Sequence, residues 1–212
     1  MELTLSSTAP SISTELRRNC KMASISLKNK SKSGNLTAPG DVDLGAMIPI
    51  ATSTVGAGGV ATVTFSSIPQ NYEHLQIRYM LSASSLNTDL RIQLNADTGA
   101  NYTRHYLYGL DGSSVVSGAS TSNTSTSIGY AFAAIARPYS GVADILDSSN
   151  TSKYKTIRSL SGGCDASAAS IIYFSGLWLN TSAISSIVLT QSSGNFSQYS
   201  SFALYGIKRA GA

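Results

Sequence analysis

Charged side chains are scarce in this sequence. Asp, Glu, Lys and Arg make up 12% of the 212 residues, about half the share that is usual in globular proteins. Serine and threonine take their place, with 38 and 18 copies. A surface of this composition is neutral, rich in hydroxyl groups and compatible with β-structure. It favours an assembled or extracellular structural protein over a cytosolic enzyme.

Histidine and cysteine are also scarce, with two of each. His74 and His105, together with Cys20 and Cys164, are too few and too far apart to suggest a zinc site or a disulfide framework. The sequence contains no G-x-S-x-G motif that would place a nucleophilic serine. We therefore predict two free thiols, no metal site, no cofactor and no catalytic residues.

Long apolar runs are missing as well. No stretch approaches the roughly 18 residues that a membrane span requires, and the N-terminus lacks the apolar segment of a secretory signal. We therefore predict no membrane span. Met22 is followed by small residues, as an ordinary translation start is, so we interpret residues 1–22 as an upstream extension.

The charge that is present is unevenly distributed. Residues 1–40 carry six basic and two acidic side chains, whereas residues 41–212 carry nine of each. Residues 23–46 are polar, basic and interrupted by glycine and proline, which predicts an extended basic arm or linker. Such an arm can contact an acidic protein surface or nucleic acid; the alternative is a solvated tail without a partner. Because residues 41–212 show no basic stripe, nucleic-acid binding is not expected of the folded part.

Alternation of apolar and polar residues is the main pattern in the rest of the chain. Val60–Phe65 and Leu75–Leu81 each show the two-residue period of a strand with one buried face. The residues between them, Ser66–Asn71, are typical of a turn. We predict a tight corner that is filled by Phe65, Ile68, Tyr72 and Leu75.

The same pattern predicts about ten or eleven short strands and no helix. Met47–Thr54 is predicted to be an edge strand because Pro49 cannot donate a ladder hydrogen bond, and the apolar Ala169–Leu179 a central strand. Asp111–Ser127, rich in Ser, Thr and Gly, is predicted to be a long loop. The expected fold is an all-β, antiparallel β-sandwich of jelly-roll-like type over residues 47–212, with an extended N-terminal arm.

Tyrosines on both sides of the predicted loop suggest a ligand site. Aromatic rings beside hydroxyl and amide groups are suited to a neutral saccharide, and the loops of a sandwich are usual places for binding. The alternative is that these rings pack in the core or at subunit interfaces. The candidate ligand-binding residues are Tyr106, Tyr108, Ser113, Ser114, Asn123 and Tyr130.

Three aspartates were considered for other chemistry. Asp97 lies in a turn with several side-chain oxygens, which is compatible with Ca²⁺ but is more typical of an Asx turn. Asp144 and Asp147 could form the carboxylate pair of a glycosidase. Their spacing in a strand favours opposite faces, so we interpret them as edge and turn residues.

Four ordered motifs carry a resemblance to a known group of proteins. They are GNLTAPGDVDLGAMIPIATSTV, VTFSSIPQNYEHLQIRYM, LNADTGANY and QYSSFALYGIK. Together they resemble uncharacterised virion structural and tail-fibre-like proteins of tailed bacteriophages of the marine, cyanophage type. The resemblance covers about residues 23–209. The third motif departs from FNGDTGANY, the commoner form in that group.

The resemblance implies a component of the phage particle, located in the virion. The leading hypothesis is a non-enzymatic module of the tail fibre or baseplate that binds host-surface saccharide. It would form a homotrimer and join other virion proteins through its N-terminal arm. Two alternatives remain: a capsid decoration or cement protein of the same fold, and a depolymerase acting on host glycans. The lack of an acid pair or catalytic triad counts against the depolymerase.

Overall fold

The structure is a computed structural model that describes residues 46–85, 87–110, 115–131, 138–164 and 169–209. These residues form twelve β-strands and no helix. The predicted upstream extension and nearly all of the predicted arm lie outside the described residues, so both stay predictions. The strands are β1 (Met47–Thr54), β2 (Thr62–Phe65), β3 (His74–Leu81), β4 (Thr88–Leu94), β5 (Tyr102–Leu110), β6 (Val116–Asn123), β7 (Thr126–Ala131), β8 (Tyr139–Ile145), β9 (Lys155–Cys164), β10 (Ala169–Trp178), β11 (Ile187–Gln191) and β12 (Ser201–Ile207).

The strands form two sheets of unequal size. The larger has eight strands in the order β1-β12-β3-β8-β9-β10-β5-β6, and the smaller has four in the order β2-β11-β4-β7. All pairings between named strands are antiparallel. The chain crosses repeatedly from one sheet to the other, so neighbours in sequence often lie in opposite sheets. The prediction of an all-β antiparallel sandwich is confirmed.

Two strand predictions depend on position within the sheet, and both are confirmed. β1 is an edge strand with a register shift between Pro49 and Ala51. Proline suits this position because it has no N–H group with which to donate a hydrogen bond to a neighbouring strand. β10 lies inside the large sheet between β9 and β5. The predicted loop over Asp111–Ser127 is wrong, because β6 occupies Val116–Asn123 and β7 begins at Thr126.

The predicted corner carries the chain from one sheet to the other. β2 belongs to the small sheet and β3 to the large one, so the two strands do not pair with each other. The backbone N–H of Ile68 donates to the carbonyl of Ser185 at 3.0 Å, which ties the corner to the segment before β11. The four residues predicted to fill it are all buried: Phe65, Ile68, Tyr72 and Leu75.

The core lies between the two sheets and is built largely from alternate residues of the strands, most clearly in β3 and β4. Leu75, Ile77 and Tyr79 of β3 face Leu90, Ile92 and Leu94 of β4 across one continuous apolar cluster. The hydroxyl of Tyr79 crosses this layer and donates to the carbonyl of Ile128 at 2.6 Å. Burial raises the pKa of Tyr79 well above its ordinary value, so the phenol stays neutral and joins the two sheets at physiological pH.

The turn after β4 contains an alanine in a conformation that favours glycine. Ala96 has a φ of 53° and is exposed, and its position corresponds to the glycine of the commoner FNGDTGANY motif. A side chain in the left-handed region is strained, whereas glycine adopts it freely. Ala96→Gly is therefore expected to raise the free energy of unfolding by about 1 kcal/mol, measured by urea denaturation.

Ala100→Gly is the matched control for this substitution. Ala100 lies in the same turn and is exposed, but it does not have a positive φ. Glycine there should only add freedom to the unfolded chain and leave stability unchanged or slightly lower. Equal effects of the two substitutions would contradict the assignment of strain to Ala96.

Candidate ligand-binding cleft

The candidate site is a cleft between the inner face of the large sheet and the edge of the small sheet. The small sheet is half as wide, and its edge strand β7 packs against β9 and β10. The inner face of β5, beyond that edge, is therefore only partly covered. The resulting cavity has a volume of about 200 Å³ and is lined by Asp89, Arg104, Tyr106, Tyr108, Tyr130, Ile172 and Phe174.

Strand periodicity brings most of these side chains to one face. Arg104, Tyr106 and Tyr108 alternate along β5 and point towards the small sheet, because successive residues of a strand face opposite sides. The register of β10 places Phe174 opposite Tyr106 and Ile172 opposite Tyr108. Four of the lining residues thus form a patch two strands wide, fixed by backbone pairing.

Aromatic contacts hold the rings of this patch in place. The rings of Tyr106 and Tyr108 stack with centroids 5.8 Å apart, and Tyr106 is tilted against Phe174 at 6.3 Å. On the neighbouring strand, Gly118 lies opposite Tyr106, and a methyl group at Gly118 would collide with the Tyr106 hydroxyl. The glycine therefore provides the space in which the Tyr106 ring lies.

A pair of opposite charges closes one side of the cleft. Arg104 Nη1 donates to Asp89 Oδ2 at 3.1 Å and to Ser127 Oγ at 2.8 Å. Its guanidinium carbon lies 6.0 Å from the centre of the Tyr106 ring, within the range of a cation–π contact. Asp89 Oδ2 also lies 3.8 Å from Nη2 of Arg91, which is not among the lining residues. The two charges that do line the cleft, those of Arg104 and Asp89, offset each other and supply fixed donors and acceptors.

Tyr130 reaches the cleft from β7, across from the tyrosines of β5. Burial raises the pKa of its hydroxyl above the ordinary value of 10.0, with further contributions from the negative charge of Asp89 and from Tyr108 and Tyr139. The phenol is therefore protonated at physiological pH. It adds an aromatic wall and a polar hydroxyl to the same small space.

The arrangement suits recognition of a small, neutral and hydroxylated group. Rings offer apolar surface to the C–H face of a sugar, while the ion pair and hydroxyl groups match its O–H groups. At about 200 Å³ the cavity is below the roughly 300–1,000 Å³ of sites that enclose a drug-sized molecule. It therefore fits one sugar residue or the end of a chain.

The structure brings together three of the six residues predicted from the sequence: Tyr106, Tyr108 and Tyr130. Asn123 is not among the lining residues. It lies near the other end of the β5–β6 pair, opposite Tyr102, and its amide donates to Ser120 Oγ at 3.0 Å. Ser113 and Ser114 lie outside the described residues.

Four lining residues were missed by the sequence analysis: Asp89, Arg104, Ile172 and Phe174. Arg104 had a usable signal, because it alternates with the two tyrosines and must share their face. Ile172 and Phe174 come from β10, which is distant in sequence, and Asp89 comes from β4, which precedes β5 in the chain but lies in the other sheet. Their proximity follows from the pairing of β10 with β5 and from the packing of the sheets.

The aspartates considered for other chemistry have structural partners. Asp97 Oδ2 accepts from Trp178 Nε1 at 2.7 Å and from Asn101 Nδ2 at 2.9 Å, and Oδ1 accepts from the Gly99 backbone at 2.8 Å. Burial alone would raise the pKa of Asp97, but these three hydrogen bonds lower it. The interpretation as an Asx turn is thus supported by the bond to Gly99, and the turn is also tied to β10.

The two remaining acids lie apart from the cleft. Asp144 accepts from Gln76 Nε2 at 2.8 Å and pairs with Arg158 at 3.3 Å, and Asp147 pairs with Lys153 at 3.3 Å. Among the described residues, no three His, Cys, Asp or Glu side chains are grouped closely enough to hold a metal ion. Cys164, at the end of β9, is an exposed free thiol; Cys20 lies outside the described residues.

Comparison with known proteins gives no match to a family model, a curated protein or a solved structure. In the part of the chain that the structure describes, no helix is long and apolar enough to cross a membrane.

Proposed function

We propose that this chain is a non-enzymatic glycan-binding module of a bacteriophage particle, displayed on the tail fibre or baseplate, where it contacts host-surface saccharide. The observation that carries the binding function is the cleft in which Tyr106, Tyr108 and Tyr130 meet the Arg104–Asp89 pair. The assignment to a virion is supported by the resemblance of the four sequence motifs. The proposed ligand is a neutral saccharide, since the charges in the cleft balance.

Binding without hydrolysis is favoured by the carboxylate count. Glycosidases generally need two carboxyl groups, about 5–5.5 Å or 6.5–9.5 Å apart. Asp89 is the one carboxylate among the described residues that line the cleft, and it is paired with Arg104. An ion-paired carboxylate is a poor general acid because the pair favours its charged form.

Weak single sites are useful on a particle that displays many of them. A small cleft with few polar contacts binds one sugar weakly, and linked copies gain strength because the later contacts become intramolecular. The proposed homotrimer would supply three clefts. The basic arm of residues 23–46 is proposed to attach the module to other virion proteins.

Tyr106→Ala is expected to weaken saccharide binding by at least about tenfold, which corresponds to about 1.4 kcal/mol. The substitution removes the ring that contacts Tyr108 and Phe174 and lies beneath Arg104. The purified wild-type protein is first applied to a panel of immobilised neutral and acidic oligosaccharides. The affinity of both proteins for the best neutral saccharide is then measured by calorimetry.

Tyr154→Ala is the matched control, because Tyr154 is an exposed tyrosine outside the cleft. It should bind the panel like the wild type. A wild-type protein that binds no neutral saccharide, or a Tyr106→Ala variant with unchanged affinity, would contradict the proposal. Urea denaturation of each variant shows whether a loss of binding reflects a loss of folded protein.

The capsid decoration protein remains the alternative proposal. It would need no saccharide site, and the cleft would then be a feature of packing alone. This alternative would be favoured if the wild-type protein is found on the capsid of purified particles and binds none of the oligosaccharides in the panel.

A further inference from the structure

The outer face of the large sheet carries a continuous apolar row. Strand register aligns Leu107 with Tyr173, Tyr173 with Leu160, and Leu160 with Val142, across β5, β10, β9 and β8. Tyr173 is 51% exposed, Leu107 44% and Leu160 37%. A row of large exposed apolar side chains on three adjacent strands, continued by the half-buried Val142 on a fourth, is unusual for a face that contacts only water.

The outer face of the small sheet differs in composition. Its outward-facing residues include the polar Thr62, Thr64, Arg91 and Gln93, with the half-buried Val188 of β11 as an apolar exception. Both sheets belong to one sandwich and show the same inward apolar alternation. The difference on the outside therefore indicates that the large sheet, and not the small one, has a surface suited to a protein contact.

One of the charged pairs beside the apolar row is internal to the face. Asp144 pairs with Arg158 at 3.3 Å and accepts from Gln76 Nε2 at 2.8 Å, so covering it leaves neither partner isolated, which is the main cost of burying ionic side chains. Arg78, beside Val142 at the β3 end of the row, donates to the neutral Gln76 Oε1 at 3.0 Å and lies 5.8 Å from the centre of the Tyr205 ring. The row over β5, β10 and β9 can thus be buried with the Asp144–Arg158 pair, while Arg78 keeps its charge at the edge of the contact.

The surface of the face is also uneven. Ile171 lies between Gly109 and Gly162 in the row next to Tyr173 and Leu160, so glycines create hollows beside a ridge. Two depressions of about 490 and 810 Å³ lie over these strands. A ridge and a hollow side by side allow the ridge of one copy to enter the hollow of another.

The area is sufficient for a stable contact. With strands about 4.8 Å apart and about 3.4 Å per residue, eight strands of at least seven residues give the whole face an area of roughly 900 Å². A standard stable interface covers about 800 Å² on each partner. We propose that the outer face of the large sheet is covered by a second copy of this chain, with the row of Leu107, Tyr173, Leu160 and Val142 at the centre of the interface.

The test is the mass of the full chain in solution, measured by size-exclusion chromatography with light scattering. The wild type is expected to have the mass of two or three chains of 22.1 kDa. The double variant Leu160→Lys/Tyr173→Lys is expected to have the mass of one chain, because it places two unpaired charges in the buried row. Ile171→Arg is a second variant, in the neighbouring row, and should also reduce the mass.

The matched control is Thr62→Lys/Thr64→Lys, which adds two charges to the outer face of the small sheet at exposed positions and should keep the wild-type mass. A monomeric wild type, including one whose own N-terminal residues cover the face, would overturn the inference. So would an oligomer that resists both the double variant and Ile171→Arg. The inference goes beyond saccharide binding, and the two can fail independently. Tyr106→Ala should weaken saccharide binding but keep the mass of the oligomer. The Leu160→Lys/Tyr173→Lys variant should lose the oligomer but keep the affinity of each cleft for saccharide.

Discussion

Phe65→Ala is expected to lower the free energy of unfolding by about 3–5 kcal/mol. Phe65 ends β2 at the corner where the chain leaves the small sheet, and it is 4% exposed within the central apolar cluster. Removing the ring loses its burial from water and leaves a cavity that the neighbouring strands cannot fully close. Urea denaturation followed by circular dichroism gives the free energy directly.

Thr64→Ala serves as the control for this cavity. Thr64 is the preceding residue of the same strand and is exposed on the outer face. Replacing it should lower the free energy of unfolding by no more than about 0.5 kcal/mol. If Phe65→Ala costs less than about 1 kcal/mol, the ring does not fill the corner. The assignment of inward and outward residues along β2 would then be wrong.

Lys155→Met is expected to lower the free energy of unfolding by about 1.5–3 kcal/mol, the usual contribution of hydrogen bonds to a charged group, since it removes the donor that three carbonyl groups share. The Lys155 side chain is fully buried at the start of β9. Its ammonium donates to the carbonyls of Lys153 at 2.8 Å and Thr181 at 3.1 Å, and also to that of Asn150. One side chain thus joins the β8–β9 turn to the segment after β10.

The chemistry of this site explains why methionine is not an adequate substitute. Burial lowers the pKa of Lys155 from its ordinary value, while the carboxylate of Asp147 acts in the opposite direction. Methionine keeps a flexible apolar stem and occupies similar space, but it has no N–H group to offer. The expected loss therefore comes from the missing hydrogen bonds of the ammonium group and not from a cavity.

Lys153→Met is the matched control. Lys153 is two residues earlier and pairs with Asp147 at 3.3 Å, but its side chain is 62% exposed. Exposed pairs contribute about 0–1 kcal/mol, so this variant should unfold almost like the wild type. Similar losses for both lysines in urea denaturation would contradict the bridging function of Lys155.

Much of the sandwich could be predicted from the alternation of residues in individual strands. Apolar and polar residues alternate in Leu75–Leu81 and in Leu90–Leu94. Each of these strands has one face in the core, and every second residue of a strand lies on the same face. Pro49 indicated an edge position by its missing N–H. The turn residues between β2 and β3, and the apolar residues around them, indicated the corner.

β6 could not be predicted in the same way. Its sequence, VSGASTSN, has no apolar alternation, and none of its residues is fully buried. It forms a strand because the exposed edge of β5 offers unpaired backbone groups and β6 pairs with them. Small residues are suited to this edge, where Gly118 makes room for the Tyr106 ring. Composition alone therefore suggested a loop.

The candidate site was only partly visible in the sequence for a related reason. Tyr106 and Tyr108 share a face by simple periodicity, but Asp89 and Phe174 reach them through packing between sheets and through strand pairing. Such contacts join residues far apart in the chain and leave no local pattern. The sequence indicated the aromatic chemistry of the site, whereas the enclosing cavity and the ion pair required the structure.

The most direct test of the proposed function uses the eleven tyrosines as probes within the protein. Protein carrying ¹³C-labelled tyrosine is titrated with the best neutral saccharide of the panel, and ring resonances are assigned by single Tyr→Phe substitutions. The account predicts that the resonances of Tyr106, Tyr108 and Tyr130 shift together along one binding curve, while those of the exposed Tyr154 and Tyr199 stay in place. If the saccharide shifts other resonances and leaves those of the three cleft tyrosines unchanged, it binds elsewhere, and the account is contradicted.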